Sequence, residues 1–257
     1  MLEEEIADGW SIFDIGEKNM WKDGILGLII GDALGVPVEF FSREELERNP
    51  VTGMRAYGTH NQPAGTWSDD SSMTLATLES IKQKGGIDYK DIMDKFTGWC
   101  LYADYIPFHD VFDIGIATSR AIIRYGKGAS PIESGGKTEW DNGNGSLMRI
   151  LPVCLYLYNR QKMMCTPEDE NISLIHNVSS LTHAHFRSQI ACGIYYFMIK
   201  SVLGETGDLR SRLQLGIDEA CRYYRRDKKR NIEMEHFFRI RDLEVFGKLP
   251  KKQIKSS

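Results

Sequence analysis

Apolar residues recur three and four positions apart along most of the chain, the spacing of one helix face, and nowhere alternate as along a half-buried strand. Met20, Trp21, Ile25, Leu28 and Ile29 make the first such face, on a helix from Asn19 that ends at Gly35 and Pro37. A short charged helix follows over Ser42 to Asn49, then a glycine- and proline-containing loop from Thr52 to Ala64. Met73, Ala76, Leu78 and Ile81 continue the helical period. Further helices are predicted over Asp88 to Tyr105, Asp113 to Tyr125, Pro152 to Tyr158, Thr166 to about Leu181, Arg187 to Leu203 and Asp208 to Arg226. Gly126 to Gly145 has few apolar anchors and is predicted to be a long loop. With no strand and no internal repeat, the predicted class is all-α: a single domain over residues 1–257, with an arm at 1–18, a helical core at 19–248 and a tail at 249–257.

Composition changes this picture little but excludes several functions. The 257 residues can bury a sizeable core, and 42% hydrophobic with 26% charged residues is ordinary for a globular protein. A formal net charge of −4 gives no basic field for nucleic acid. No apolar run approaches membrane-spanning length, so neither partner class is expected. The basic run from Arg222 to Arg230 is read as a solvated helix end. Five scattered cysteines without a CxxC pair predict reduced thiols and a cytoplasmic location.

Candidate chemistry begins at Gly65-Thr66-Trp67-Ser68-Asp69-Asp70, just where a helix starts. Ser68 could simply cap the helix, with the acids complementing its dipole. The same hydroxyl and two carboxylates are also an all-oxygen donor set suited to Mg²⁺, Mn²⁺ or Ca²⁺. Glu39, in a turn between apolar neighbours, is either a solvated carboxylate or a positioned acid–base group. Asn142-Gly143-Asn144-Gly145-Ser146 is a nest candidate at a helix opening, where glycine amides can cradle a phosphate. Arg149 could be that phosphate's cation or an exposed helix charge. His183 and His185 stand two apart and are not expected to share a metal; His183 is read as a ligand contact. Gly24, Gly27, Gly31 and Gly35 form a side-chain-free stripe that predicts close approach of another backbone or a ligand.

Taken together, Gly31-Asp-Ala-Leu-Gly with Glu39-Phe40, Ser68-Asp69-Asp70, Asp113-Ile-Gly, Gly143-Asn-Gly-Ser-Leu-Met-Arg and Leu181-Thr-His183 resemble the ADP-ribosylglycohydrolase family in order and approximate spacing, over roughly Met20 to Phe197. The resemblance implies an orthogonal multi-helix bundle with a binuclear Mg²⁺ or Mn²⁺ centre. It implies hydrolysis of the N- or O-glycosidic bond joining ADP-ribose to a protein or a related conjugate. By the same resemblance Ser68, Asp69 and Asp70 are metal ligands, and Glu39 and Asp69 are catalytic. Asp113, Gly143, Asn144, Gly145, Ser146, Met148 and His183 would bind substrate, with a structural role for Arg149 the alternative to a phosphate contact. The family's late Asp-x-Asp-Thr run, which supplies the second half of the binuclear site, is not found. The expectation is therefore a truncated or split member, impaired on its own and needing a complementing C-terminal chain or self-association. Non-catalytic ADP-ribose binding and a structural, crystallin-like role are the alternatives.

Overall fold

The computed structural model describes residues 18–240, so most of the predicted arm and all of the tail lie outside the described residues. Ten α-helices occupy this span: α1 Lys18–Gly35, α2 Arg43–Arg48, α3 Asp69–Lys84, α4 Tyr89–Tyr102, α5 Ile116–Gly126, α6 Leu151–Met164, α7 Glu168–Ser180, α8 Phe186–Gly204, α9 Leu209–Tyr224 and α10 Lys228–Glu233. Among the described residues there is no strand, only two isolated bridges, Tyr57 with Gln62 and Gly136 with His183. The all-α class is as predicted. No helix of the described residues is long and apolar enough to cross a membrane.

Most helix starts are written in side chains. Ser42 and Glu45 form a capping box on α2, Asp88 accepts from the amides of Lys90 and Asp91 on α4, and Asp208 caps α9 through Ser211. The core gathers Met73 and Ile81 of α3, Phe96 and Trp99 of α4, Leu157 of α6, Ile175 of α7 and Tyr196 and Phe197 of α8, all essentially inaccessible to water. A smaller cluster joins Trp21 and Ile25 of α1 to Leu151 and Leu155 of α6. At the α8–α9 contact a Cβ on Gly193 would fall 1.7 Å from the Tyr224 hydroxyl, which is instead bonded to His176 Nε2 at 2.9 Å. All five cysteines are free.

Two local expectations need correction and a third is narrowed. On α1 a Cβ at Gly24 would touch the Leu151 side chain, but Gly27, Gly31 and Gly35 have nothing within 4 Å, so among the described residues no other backbone approaches the stripe, which is left open to a ligand. The loop from Gly126 to Gly145 is not featureless: it holds two 3₁₀ turns, Pro131–Glu133 and Glu139–Asp141. The helix expected from Asp113 begins at Ile116, leaving Asp113 in the preceding connection with φ of 56°.

Candidate metal and substrate site

The first half of the candidate site forms where the C-terminal end of α1 meets the N-terminus of α3. Ser68 caps α3, accepting from the Asp70 amide at 3.4 Å. Its own amide and hydroxyl donate to the Asp32 carboxylate of α1, at 2.9 and 2.8 Å. The Ser71 amide and hydroxyl do the same at 3.1 and 2.6 Å. Asp32 thus accepts four hydrogen bonds and pins the two helices together. Capping and ligation, posed as alternatives by the sequence, are compatible here, because a hydroxyl oxygen has two lone pairs.

Beside this pin stand two further carboxylates, which share the Ser68 hydroxyl, 3.4 Å from Asp70 Oδ2. Asp69 is 5% exposed and its pKa is pushed up to about 8, foremost by burial and then by Asp70, Asp113 and Asp32. Asp70 is pushed up to about 6, again by burial first and then by Asp32, the Ser68 hydrogen bond opposing and Asp113 and Glu39 adding. Neither is paired with a lysine or arginine among the described residues. Buried carboxylates whose pKa values neighbouring carboxylates raise further, all oxygen and without a paired lysine or arginine, fit the donor set of a hard divalent ion. Glu39 follows the 3₁₀ turn Val36–Val38, and burial raises its pKa too.

Asp113 arrives on an unusual connection. Ala103, Tyr105, Phe108, His109 and Asp113 all have positive φ, between 53° and 63°. Side-chain-bearing residues other than Asn and Asp enter this region at a cost, so neighbouring contacts must hold the loop. Trp67 Nε1 donates to the Tyr105 carbonyl at 2.9 Å and Gln62 Nε2 to Asp110 at 2.8 Å, tying the loop to the segment that leads into α3.

The second half of the site is the run from Gly143 to Arg149. It is a series of turns, not a helix start: α6 opens at Leu151, five residues after Ser146. Gly143 and Asn144 are exposed and Met148 is half-buried. Ser146 is fully buried, its hydroxyl 2.9 Å from Ser179 Oγ and 3.5 Å from Cys192 Sγ, so at this residue the loop offers backbone rather than a side chain. His183 packs on the loop, and a Cβ at Gly145 would lie 2.6 Å from its Cε1. Burial, with Arg149 adding, lowers the His183 pKa to about 4, so the ring is neutral. Arg149 is wholly buried against the Phe96 ring, 4.6 Å from its centroid, and donates to Thr182 Oγ1 at 2.8 Å. It is a core cation, neither exposed nor in the loop's mouth. The Thr182 hydroxyl lies 2.9 Å from His183 Nδ1. Because the hydroxyl oxygen keeps a second lone pair beside the one Arg149 uses, either ring tautomer satisfies this contact, with Thr182 donating to Nδ1 or accepting from it. His185 goes elsewhere: it caps α8 and lies beside Glu139, so the two histidines share no site.

A sequence-family model described as ADP-ribosylglycohydrolase matches residues 18–253. The chain belongs to the ADP-ribosylglycohydrolase family. Among its relatives is the ADP-ribosylarginine hydrolase Tri1 of Serratia proteamaculans, 30% identical over 184 residues, 71% of this chain and 47% of that protein. The ADP-ribosyl-[dinitrogen reductase] glycohydrolase of Rhodospirillum rubrum is 31% identical over 194 residues, covering 71% and 57%. The chain thus spans about half the length of these curated relatives. A solved structure, an ADP-ribosylglycohydrolase-related protein complex, superposes with a TM-score of 0.56 at 28% identity, over 74% of this chain and 57% of that one. Within this family frame, two residues at the site had no assigned role in the sequence reading, Asp32 and His60. Asp32 was quoted only as part of a glycine-rich motif. His60 gave no signal, since its partner Glu39 lies 21 residues away.

Proposed function

We propose that this chain carries the site of a metal-dependent ADP-ribosyl hydrolase, with Ser68, Asp69 and Asp70 holding Mg²⁺ or Mn²⁺. The observation that carries the reading is the pair Asp69 and Asp70 at a buried helix start, each pushed up by burial and by neighbouring carboxylates, with no lysine or arginine paired to them among the described residues. A divalent ion there would supply positive charge to orient ribose oxygens and stabilise the reacting centre. The chain's own residues account for the rest. Glu39, its pKa raised, accepts a proton from the attacking water as oxygen bonds to the anomeric carbon. The bond to the side-chain nitrogen or oxygen breaks through an oxocarbenium-like state, which the neighbouring carboxylates stabilise; its electron pair stays on the leaving atom, which takes up a proton from solvent as Glu39 returns its own. Asp113 faces the leaving group, and Asp69 contributes both to the ion and to the charge at the sugar. The backbone of Gly143, Asn144, Gly145 and Ser146, with Met148 alongside, receives the ADP portion, and His183 Nε2 donates to one of its oxygens.

The substrate is an ADP-ribosylated protein or a related conjugate, in keeping with relatives named for ADP-ribosylarginine and ADP-ribosyl-dinitrogen reductase. Titration of ADP-ribose into the chain with Mn²⁺ or Mg²⁺, and again with EDTA, tests the reading. Binding that requires the ion, followed by release of ADP-ribose from an ADP-ribosylarginine substrate, supports it. Affinity that survives chelation without hydrolysis supports non-catalytic ADP-ribose binding through the Gly143 loop, which uses no carboxylate.

A further inference from the structure

Glu39 sits where a carboxylate has reason to leave. When charged it is repelled by Asp113 and Asp70, its hydrogen bond to Asp113 needing a shared proton, and its neighbour Phe40 is 80% exposed, so open solvent is close. Three features of the Gly58–His60 turn keep it in place. Gly58 has φ of 63°, and a Cβ there would fall 2.0 Å from the Pro37 carbonyl oxygen. Only glycine therefore lets this turn lie directly on the Val36–Val38 turn that presents Glu39. Thr59 Oγ1 then donates to the backbone carbonyl of Glu39 at 2.7 Å. His60 Nε2 meets Glu39 Oε2 at 2.5 Å.

The imidazole is itself fixed. Its centroid lies 6.1 Å from that of Phe40 and 5.1 Å from that of Phe112, the residue immediately before Asp113. One donor atom each from Glu39, His60 and Asp113 lies within 4.8 Å of the others. An ordinary surface ion pair would lack the backbone clamp and the aromatic packing, and its half-exposed partners would reorient freely.

We propose that His60 is the positioning residue for Glu39, holding that carboxylate at the acidic pocket against the repulsion of Asp113 and Asp70. Thr59 and Gly58 fix the backbone from which it acts. The assignment rests on the reading of Glu39 as the acid–base group of an ADP-ribosyl hydrolase.

The test uses the full chain labelled with ¹³C at the glutamate carboxyls, with the Glu39 resonance identified by its loss in Glu39→Gln. His60→Ala should shift that resonance and raise its titration midpoint. His60→Gln, which keeps a donor at nearly the same place, should restore most of both. Where wild type hydrolyses ADP-ribosylarginine, His60→Ala should lower kcat about tenfold with KM little changed, as loss of an outer supporting contact does. A Glu39 resonance unmoved in a folded His60→Ala chain overturns the proposal, as does equal impairment by His60→Gln and His60→Ala. A resonance that moves, in a chain that neither binds ADP-ribose nor hydrolyses it, upholds the clamp and sinks the hydrolase reading instead.

Discussion

Among the described residues two clusters of acids and histidines stand out, and of these one is left electrically open. Glu39, His60 and Asp113 lie together beside Asp69 and Asp70, where burial and mutual repulsion raise the carboxyl pKa values. Glu139, His185 and Glu233 approach one another just as closely. In this second group, however, Arg187 reaches both acids, at 3.2 Å to Glu139 and 3.0 Å to Glu233, and His236 as well. His185 also spends its Nδ1 accepting from the Arg187 amide at 3.2 Å, which leaves its proton on Nε2 and that nitrogen unavailable to a metal. Closeness of donor atoms is therefore a poor guide. A cluster that contains its own guanidinium is a finished ion-pair network, whereas one without it is open to a cation from solution.

The largest effect should come from closing the open cluster. Asp69→Asn together with Asp70→Asn should abolish the rise in melting temperature that Mn²⁺ gives wild type, measured by calorimetry. Glu139→Gln with Glu233→Gln should leave that rise intact, and equal loss in both pairs would erase the distinction. Next is Asp32→Asn, which turns an acceptor of four hydrogen bonds into a group with a misplaced donor. It should cost about 2 kcal/mol in urea unfolding, since bonds to a charged group are the strong ones and Asp32 is half-buried.

Acid titration needs a background correction from outside both clusters, and His176 supplies it. Burial lowers its pKa from 6.5 to about 3, with Arg230 adding. The unfolded chain therefore binds the extra proton first, and stability present above pH 6.5 is lost as pH falls toward 3. By linkage the loss at pH 4 is about 2 kcal/mol after allowance for relaxation, and His176→Gln should flatten this slope in pH-dependent melting. The smallest effect is expected at Arg187→Met. It should cost about 1 kcal/mol, because the pairs it breaks are partly exposed, and it should create a weak second Mn²⁺ site detectable by electron paramagnetic resonance.

The sequence carried much of the fold because helix starts are local. Ser42, Ser68, Asp88 and Asp208 each act within three residues of themselves, so their caps could be read from spacing alone. What stayed hidden is tertiary. Asp32 finds Ser68 and Ser71 more than thirty residues away, and no periodicity marks it apart from any other helix acid. For Arg149 the sequence leaves a phosphate contact, an exposed helix charge and a structural role open, and Phe96 and Thr182, distant in sequence, receive it in the core. Ser146 was expected at a helix mouth, but the turns through Arg149 carry its side chain inward, against Ser179 and Cys192. The glycines of α1 suggested a contact by their repeat, while the glycine that fits against a tyrosine hydroxyl, Gly193, stands alone in sequence.

The wire from Arg149 through Thr182 to His183 has a chemical consequence for whatever rests on the Gly143 loop. Arg149 holds the Thr182 hydroxyl and that hydroxyl holds Nδ1, so the ring is aimed, with its Nε2 edge toward the loop, by a residue that no ligand touches. The hydroxyl can donate to Nδ1 or accept from it, so the single ring proton is free to sit on either nitrogen. Orientation is fixed while polarity is not: a ribose or phosphate oxygen selects the Nε2–H form, and an N–H donor selects the other.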